Sequence, residues 1–157
     1  MRPPSSFPGV VLLAGFITGT LDILSASVYF TIATHGQPLS KLFAYISSGV
    51  FGKEAFNGNP AMTLWGLLFH YGIALTWSFV FLSIYPKIPD LRRYPVATGL
   101  VYGLIVWSFM QFIVLPLSRV PHGPLHLVPA LLNIAILMVM IGLPLSFIGR
   151  RYYAGQS

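Results

Sequence analysis

Four stretches of this chain are apolar almost without interruption, at 9–33, 61–85, 96–117 and 125–148. Proline, glycine and charge separate them: GQP follows the first, YPKIPDLRRYP the second, PLSRVPHGP the third and GRR the fourth. A helix rises about 1.5 Å per residue, so roughly 20 apolar residues cross about 30 Å of hydrocarbon. The pattern predicts an all-α fold, a four-helix transmembrane bundle forming one integral membrane domain over 1–157. The linker between the first two stretches has a rhythm of its own. Over 38–56, Leu39, Leu42, Phe43, Ile46, Val50 and Phe51 recur at three- and four-residue steps, with Lys41, Ser47, Ser48 and Lys53 elsewhere on the wheel. This predicts an amphipathic helix lying in the interface, with a short re-entrant hairpin as the competing reading because Gly49 and Gly52 weaken a helix.

Composition fits a membrane chain: 55% of the 157 residues are hydrophobic, 8% are charged, and the mean hydropathy is +0.77. The net charge of +6 would point a soluble domain toward nucleic acid, but here the cations flank the apolar stretches, where lipid headgroups use them. The expected partner is therefore the lipid bilayer and not nucleic acid. An early Arg2 before an apolar run has the look of a secretory signal, yet the run continues well past the length of a signal core, and an uncleaved span is the better expectation. Arg2, Lys87, Arg92, Arg93, Arg150 and Arg151 fall on one side of a four-span topology, and Lys41, Lys53 and Arg119 on the other. That asymmetry puts both termini in the cytoplasm.

One acid interrupts the first span. An ionised carboxylate at the centre of a span costs about 2.5–3.5 kcal/mol on insertion scales, so Asp22 needs a partner, a proton or a polar cavity. Gly15 and Gly19 share its helical face and allow another helix to come close; Gly99 and Gly103 repeat that small-residue spacing in the third span. Each other span holds a strongly polar residue: His70, Gln111 and Asn133. Counted along the helices, all four lie in the middle or outer half of the bilayer, Asp22 about 20 Å from the inner end of its span. They define a candidate ligand or proton site, with an imidazole able to bond a carboxylate through one nitrogen and present the other. Interhelical hydrogen bonding, worth about 0.6 kcal/mol per contact, is the plainer alternative.

A second polar group lies at the outer surface: His35, Glu54, His122 and His126. His122 and His126 have the i, i+4 spacing of two metal ligands, with Glu54 as a possible third, although Gly123 and Pro124 between them disfavour a continuous helix. A haem held by two histidines is another possibility, limited by His70 being the one histidine well inside a span. No cofactor is expected on balance. There is no cysteine, which removes thiol chemistry and Cys-based metal sites, and no phosphate loop, GxSxG elbow or HExxH motif, so an enzyme is the less favoured class. Pro116 and Pro144 read as kinks or stops near helix ends.

The string LLFHYGIALTWSFVFLSIYPKIPDLRRYPVATGLVYGLIVWSFMQFIVLPL is similar to the small four-span bacterial inner-membrane proteins of the YagU-like kind, in which a His-bearing span leads through a short basic loop to a Gly-rich span ending in proline. GxxxGxxD in the first span adds to the likeness. The resemblance implies an inner-membrane location and four helices, and brings no catalytic residues with it. Three functions follow as expectations. The first is a non-enzymatic accessory subunit, self-associating or joined to a membrane partner through its glycine faces. The second is a small-solute or proton-coupled transporter using Asp22 and His70, and the third a membrane enzyme or a haem or redox protein using the histidines.

Overall fold

The computed structural model describes residues 6–121 and 123–155, and these form helices joined by short loops. Helix α1 (Phe7–Ala33) is the first span; Ser6 caps it by accepting a hydrogen bond from the Gly9 amide, and Pro8 occupies its first turn. After α2 (Ser40–Phe51) and a 3₁₀ turn (Gly52–Phe56), the second span is Ala61–Lys87, most of it α3 (Ala61–Ile84). A four-residue helix, α4 (Asp90–Arg93), leads to the third span, Pro95–Leu117, built from α5 (Pro95–Phe109), a π-turn (Met110–Val114) and α6 (Leu115–Leu117). The fourth span, Leu127–Ala154, is α7 (Leu127–Leu137), a second π-turn (Met138–Gly142) and α8 (Leu143–Ala154). Four apolar helices of this length make the chain a multi-pass membrane protein.

The spans run up and down. Val10 and Ala14 near the start of α1 pack with Phe81, Leu82 and Tyr85 at the end of the second span and with Ile141 and Leu145 of the fourth. The half of the bundle where α1 begins carries the apolar core. Two polar contacts lock it: the Tyr153 hydroxyl donates to the Leu82 carbonyl at 2.7 Å, and the Ser146 hydroxyl donates to that of Pro95 at 2.6 Å.

Both π-turns have one cause. A proline ring collides with the carbonyl four residues earlier, here Phe112 for Pro116 and Met140 for Pro144. A wider turn just before the proline moves that carbonyl aside: Leu115 donates to the Met110 carbonyl and Leu143 to that of Met138, each from the residue before proline. Pro144 is therefore not a stop. The fourth helix continues through Gly149, Arg150 and Arg151 to Ala154 and not to 148, with Gly149 still packed against the Phe81 and Tyr85 rings.

The glycines set the helix spacing. A Cβ on Gly103 would stand 2.7 Å from the Leu137 carbonyl oxygen, one on Gly99 would stand 2.8 Å from that of Gly142, and one on Gly142 would strike the Gly99 carbonyl. The third and fourth spans thus meet backbone to backbone. Gly15 does the same for the first and second, where a Cβ would lie 3.0 Å from the Leu75 Cα. Both glycine faces are consequently occupied within one chain.

Helix α2 is the helix expected between the first two spans, and it packs on the bundle through its small residues. Ala44, Ser47 and Ser48 are the residues it buries, whereas Leu39 and Val50 of the apolar stripe are exposed. Burial of the two serines is cheap because each hydroxyl donates to its own helix, Ser47 to the Ala44 carbonyl at 3.0 Å and Ser48 to that of Tyr45 at 2.6 Å. Their small size lets α2 press onto α3, where Gly66 lies against the Phe43 backbone. Its far end is pinned by the Arg119 amide, which donates to the Gly49 carbonyl at 3.0 Å. The segment is a helix and not a hairpin, laid against α3 at the end of the bundle where the first span finishes.

Candidate functional site

The site begins with the missing side chain of Gly19. A Cβ there would stand 3.0 Å from both the Ala74 Cβ and the Tyr71 ring, so glycine alone lets α1 and α3 approach this closely. The approach leaves the Gly19 carbonyl within reach of α3. His70 Nε2 lies 2.7 Å from that oxygen. A carbonyl can only accept, so Nε2 carries the proton and the Nδ1 lone pair is left for other use. Beside it the Thr20 and Tyr71 hydroxyls bond at 2.9 Å, Tyr71 stacks on Phe16, and the His70 ring meets the Tyr71 ring edge-on at 5.5 Å. The imidazole is held by the Gly19 carbonyl and by the edge-on Tyr71 ring.

Asp22 stands three residues beyond Gly19 on α1, about 4.5 Å further along the axis, and is half-buried. Among the described residues no hydrogen bond or ion pair joins its carboxylate to His70. The imidazole's own hydrogen bond runs between the first and second spans. Asn133 is placed differently: its amide donates to the Pro129 carbonyl of its own helix at 2.9 Å, and its side chain lines a groove of about 520 Å³ at the end where α2 lies. Ala26, Tyr29, Tyr45 and Lys41 also line that groove. Ala26 is one turn beyond Asp22 on the same face of α1, so the groove descends to within a turn of the acid. Gln111 is half-buried on the first π-turn, in the third span and apart from the His70–Gly19 hydrogen bond.

The spans' polar residues therefore separate: Asp22 and His70 are a pair by their place on the adjoining first and second spans, Asn133 is an amide on the rim of the groove and Gln111 an amide elsewhere in the bundle. Thr20 and Tyr71 complete the pair's surroundings and escaped the sequence reading, although each neighbours a residue that it singled out. A hydroxyl in a span reads as helix-satisfied, as Thr18 is by the Ala14 carbonyl, and nothing in the pattern distinguishes Thr20 from it.

The outer histidine group is dispersed. Glu54 is exposed on the 3₁₀ turn, His35 is exposed at the end of α1 with φ 53°, and His126 is the extended cap of α7. His122 lies outside the described residues. Residues 123–126 are not helical, which removes the shared helix face on which an i, i+4 pair depends. Among the described residues no three His, Asp or Glu side chains gather in a way that would hold a metal ion. Haem ligation by His70 through Nε2 would require the bond to Gly19 to be given up.

No family model, curated protein or solved structure matches this chain.

Proposed function

We propose that this protein is a proton-coupled carrier of small solutes, with Asp22 and His70 as its proton-binding pair and the groove beneath α2 as its entrance from the outer side. The observation that carries the reading is the 2.7 Å bond from His70 Nε2 to the Gly19 carbonyl, which commits one ring nitrogen and frees the other. In the loading step the Nδ1 lone pair takes a proton from water in the groove, and the carboxylate of Asp22 balances the charge of the imidazolium formed. Release returns that proton to water and restores the neutral ring. The cation balance supports an orientation with both termini in the cytoplasm, and the YagU-like resemblance supports a bacterial inner membrane. The accessory-subunit reading loses its main motive, because both glycine faces are used inside the chain; association would need another surface.

The test is collapse of an imposed pH gradient in proteoliposomes carrying an internal pH-sensitive dye, measured with a panel of small solutes outside. Wild type should collapse the gradient with at least one of them, and Asp22→Asn at equal incorporation should be at least about tenfold slower, as loss of a general proton-transfer group implies. Equal rates for the two proteins would overturn the proposal.

A further inference from the structure

A second concavity lies at the opposite end of the molecule, between the second and third spans. This groove of about 440 Å³ is walled by Trp77, Ile84, Val101 and Ile105, and its mouth is formed by Ile88 and Tyr94. Along α5 it runs from Ala97 to Ile105, about 12 Å. The polar groups in its wall are already spent. The Trp77 carbonyl accepts from the Tyr102 hydroxyl at 2.7 Å, and the Thr98 hydroxyl donates to the Leu91 carbonyl at 3.1 Å. What remains is hydrocarbon surface, suited to an alkyl chain and offering a polar solute nothing to bond.

The loop beside the mouth is cationic, although the charged residue in the lining itself is Asp90. Arg93 holds its guanidinium 5.3 Å over the ring of Tyr94, which lines the groove, and Arg92 lies 5.7 Å over Tyr153, outside the lining. Lys87 is exposed at the end of the second span. Lys87, Arg92 and Arg93 against Asp90 leave that loop two positive charges in excess. An apolar slot reaching into the hydrocarbon beneath an excess of cations at the interface matches one chemistry, an acyl chain under a phosphate.

We propose that this groove is a specific site for an anionic phospholipid, with one acyl chain along Val101 and Ile105 and the headgroup phosphate between Arg93 and Lys87. Guanidinium groups suit the phosphate, since they donate in a planar fork. The site is separate from Asp22 and His70 and does not depend on what they do.

Native mass spectrometry of delipidated protein in mild detergent tests it, using phosphatidylglycerol and phosphatidylcholine of identical chains. Phosphatidylglycerol should bind at least about tenfold more tightly, and Lys87→Gln with Arg93→Gln should bring the two lipids to parity. Ala97→Trp, at an exposed position on the groove wall, should reduce binding of both lipids while the helical circular dichroism stays unchanged. Raising salt should erode the phosphatidylglycerol preference of wild type, because exposed charges are screened. Equal affinity for the two lipids in wild type, or a preference that survives the double substitution, would overturn the proposal.

Discussion

At Gly142 a single methyl group has no room, since it would strike the Gly99 carbonyl; at Gly72 nothing lies within 4 Å of the same addition. The two glycines look alike in sequence and are opposite in consequence. Gly142→Ala should destabilise the protein by about 1–3 kcal/mol, the range for overpacking a close contact, and Gly72→Ala should be neutral or slightly stabilising. Thermal unfolding of both variants in one detergent checks the pair, and similar midpoints would contradict the backbone-to-backbone contact. Asp22 was legible at this scale because a carboxylate in a span is costly enough to demand a reason. The partner of His70 was not, because a main-chain carbonyl has no letter in the sequence. Gly19 registers there as a small residue, while its contribution here is the oxygen it exposes.

The elements divide along the same line. Span positions follow from hydropathy and length, and the third begins and ends within a residue of its expected limits. The face that α2 buries was hidden, because Ser47 and Ser48 count as polar in any periodicity and yet bond within their own helix. Interior burial here follows side-chain volume and not polarity. If Gly66 is what admits α2, then Gly66→Val should push it away from α3, since a Cβ there would fall 2.7 Å from the Phe43 carbonyl carbon. The chain has no cysteine, so Ser48→Cys is a clean reporter. Its thiol should resist a membrane-impermeant maleimide in the otherwise native protein and react at least about tenfold faster when Gly66→Val is added. Equal protection would show that α2 is held by other contacts.

In the whole molecule the two ends differ. The end where α1 begins holds the apolar core, the basic loop and the Arg92 and Arg93 contacts with tyrosine; the end where α2 lies holds the groove that descends toward Asp22. Which end faces the cytoplasm is a charge argument that single cysteines can check. Gly155→Cys should be labelled only after cells are permeabilised, and Asn57→Cys should be labelled from outside in intact cells. The reverse pattern would turn the groove toward the cytoplasm. The division into a pair, a rim amide and a separate amide was not legible in the chain, because helix order and rotation decide which polar residues meet and one sequence carries neither.

The central claim is that His70 is a proton-binding imidazole held in one tautomer by the Gly19 carbonyl and coupled to Asp22. Nitrogen-15 NMR of histidine-labelled protein in liposomes addresses it directly, with the His70 signals assigned by their loss in His70→Gln. The account predicts a protonated, hydrogen-bonded Nε2, an Nδ1 resonance that moves between its neutral and protonated positions as the outer pH is changed, and a displacement of that response in Asp22→Asn. An Nδ1 signal indifferent both to outer pH and to the Asp22 substitution would contradict it.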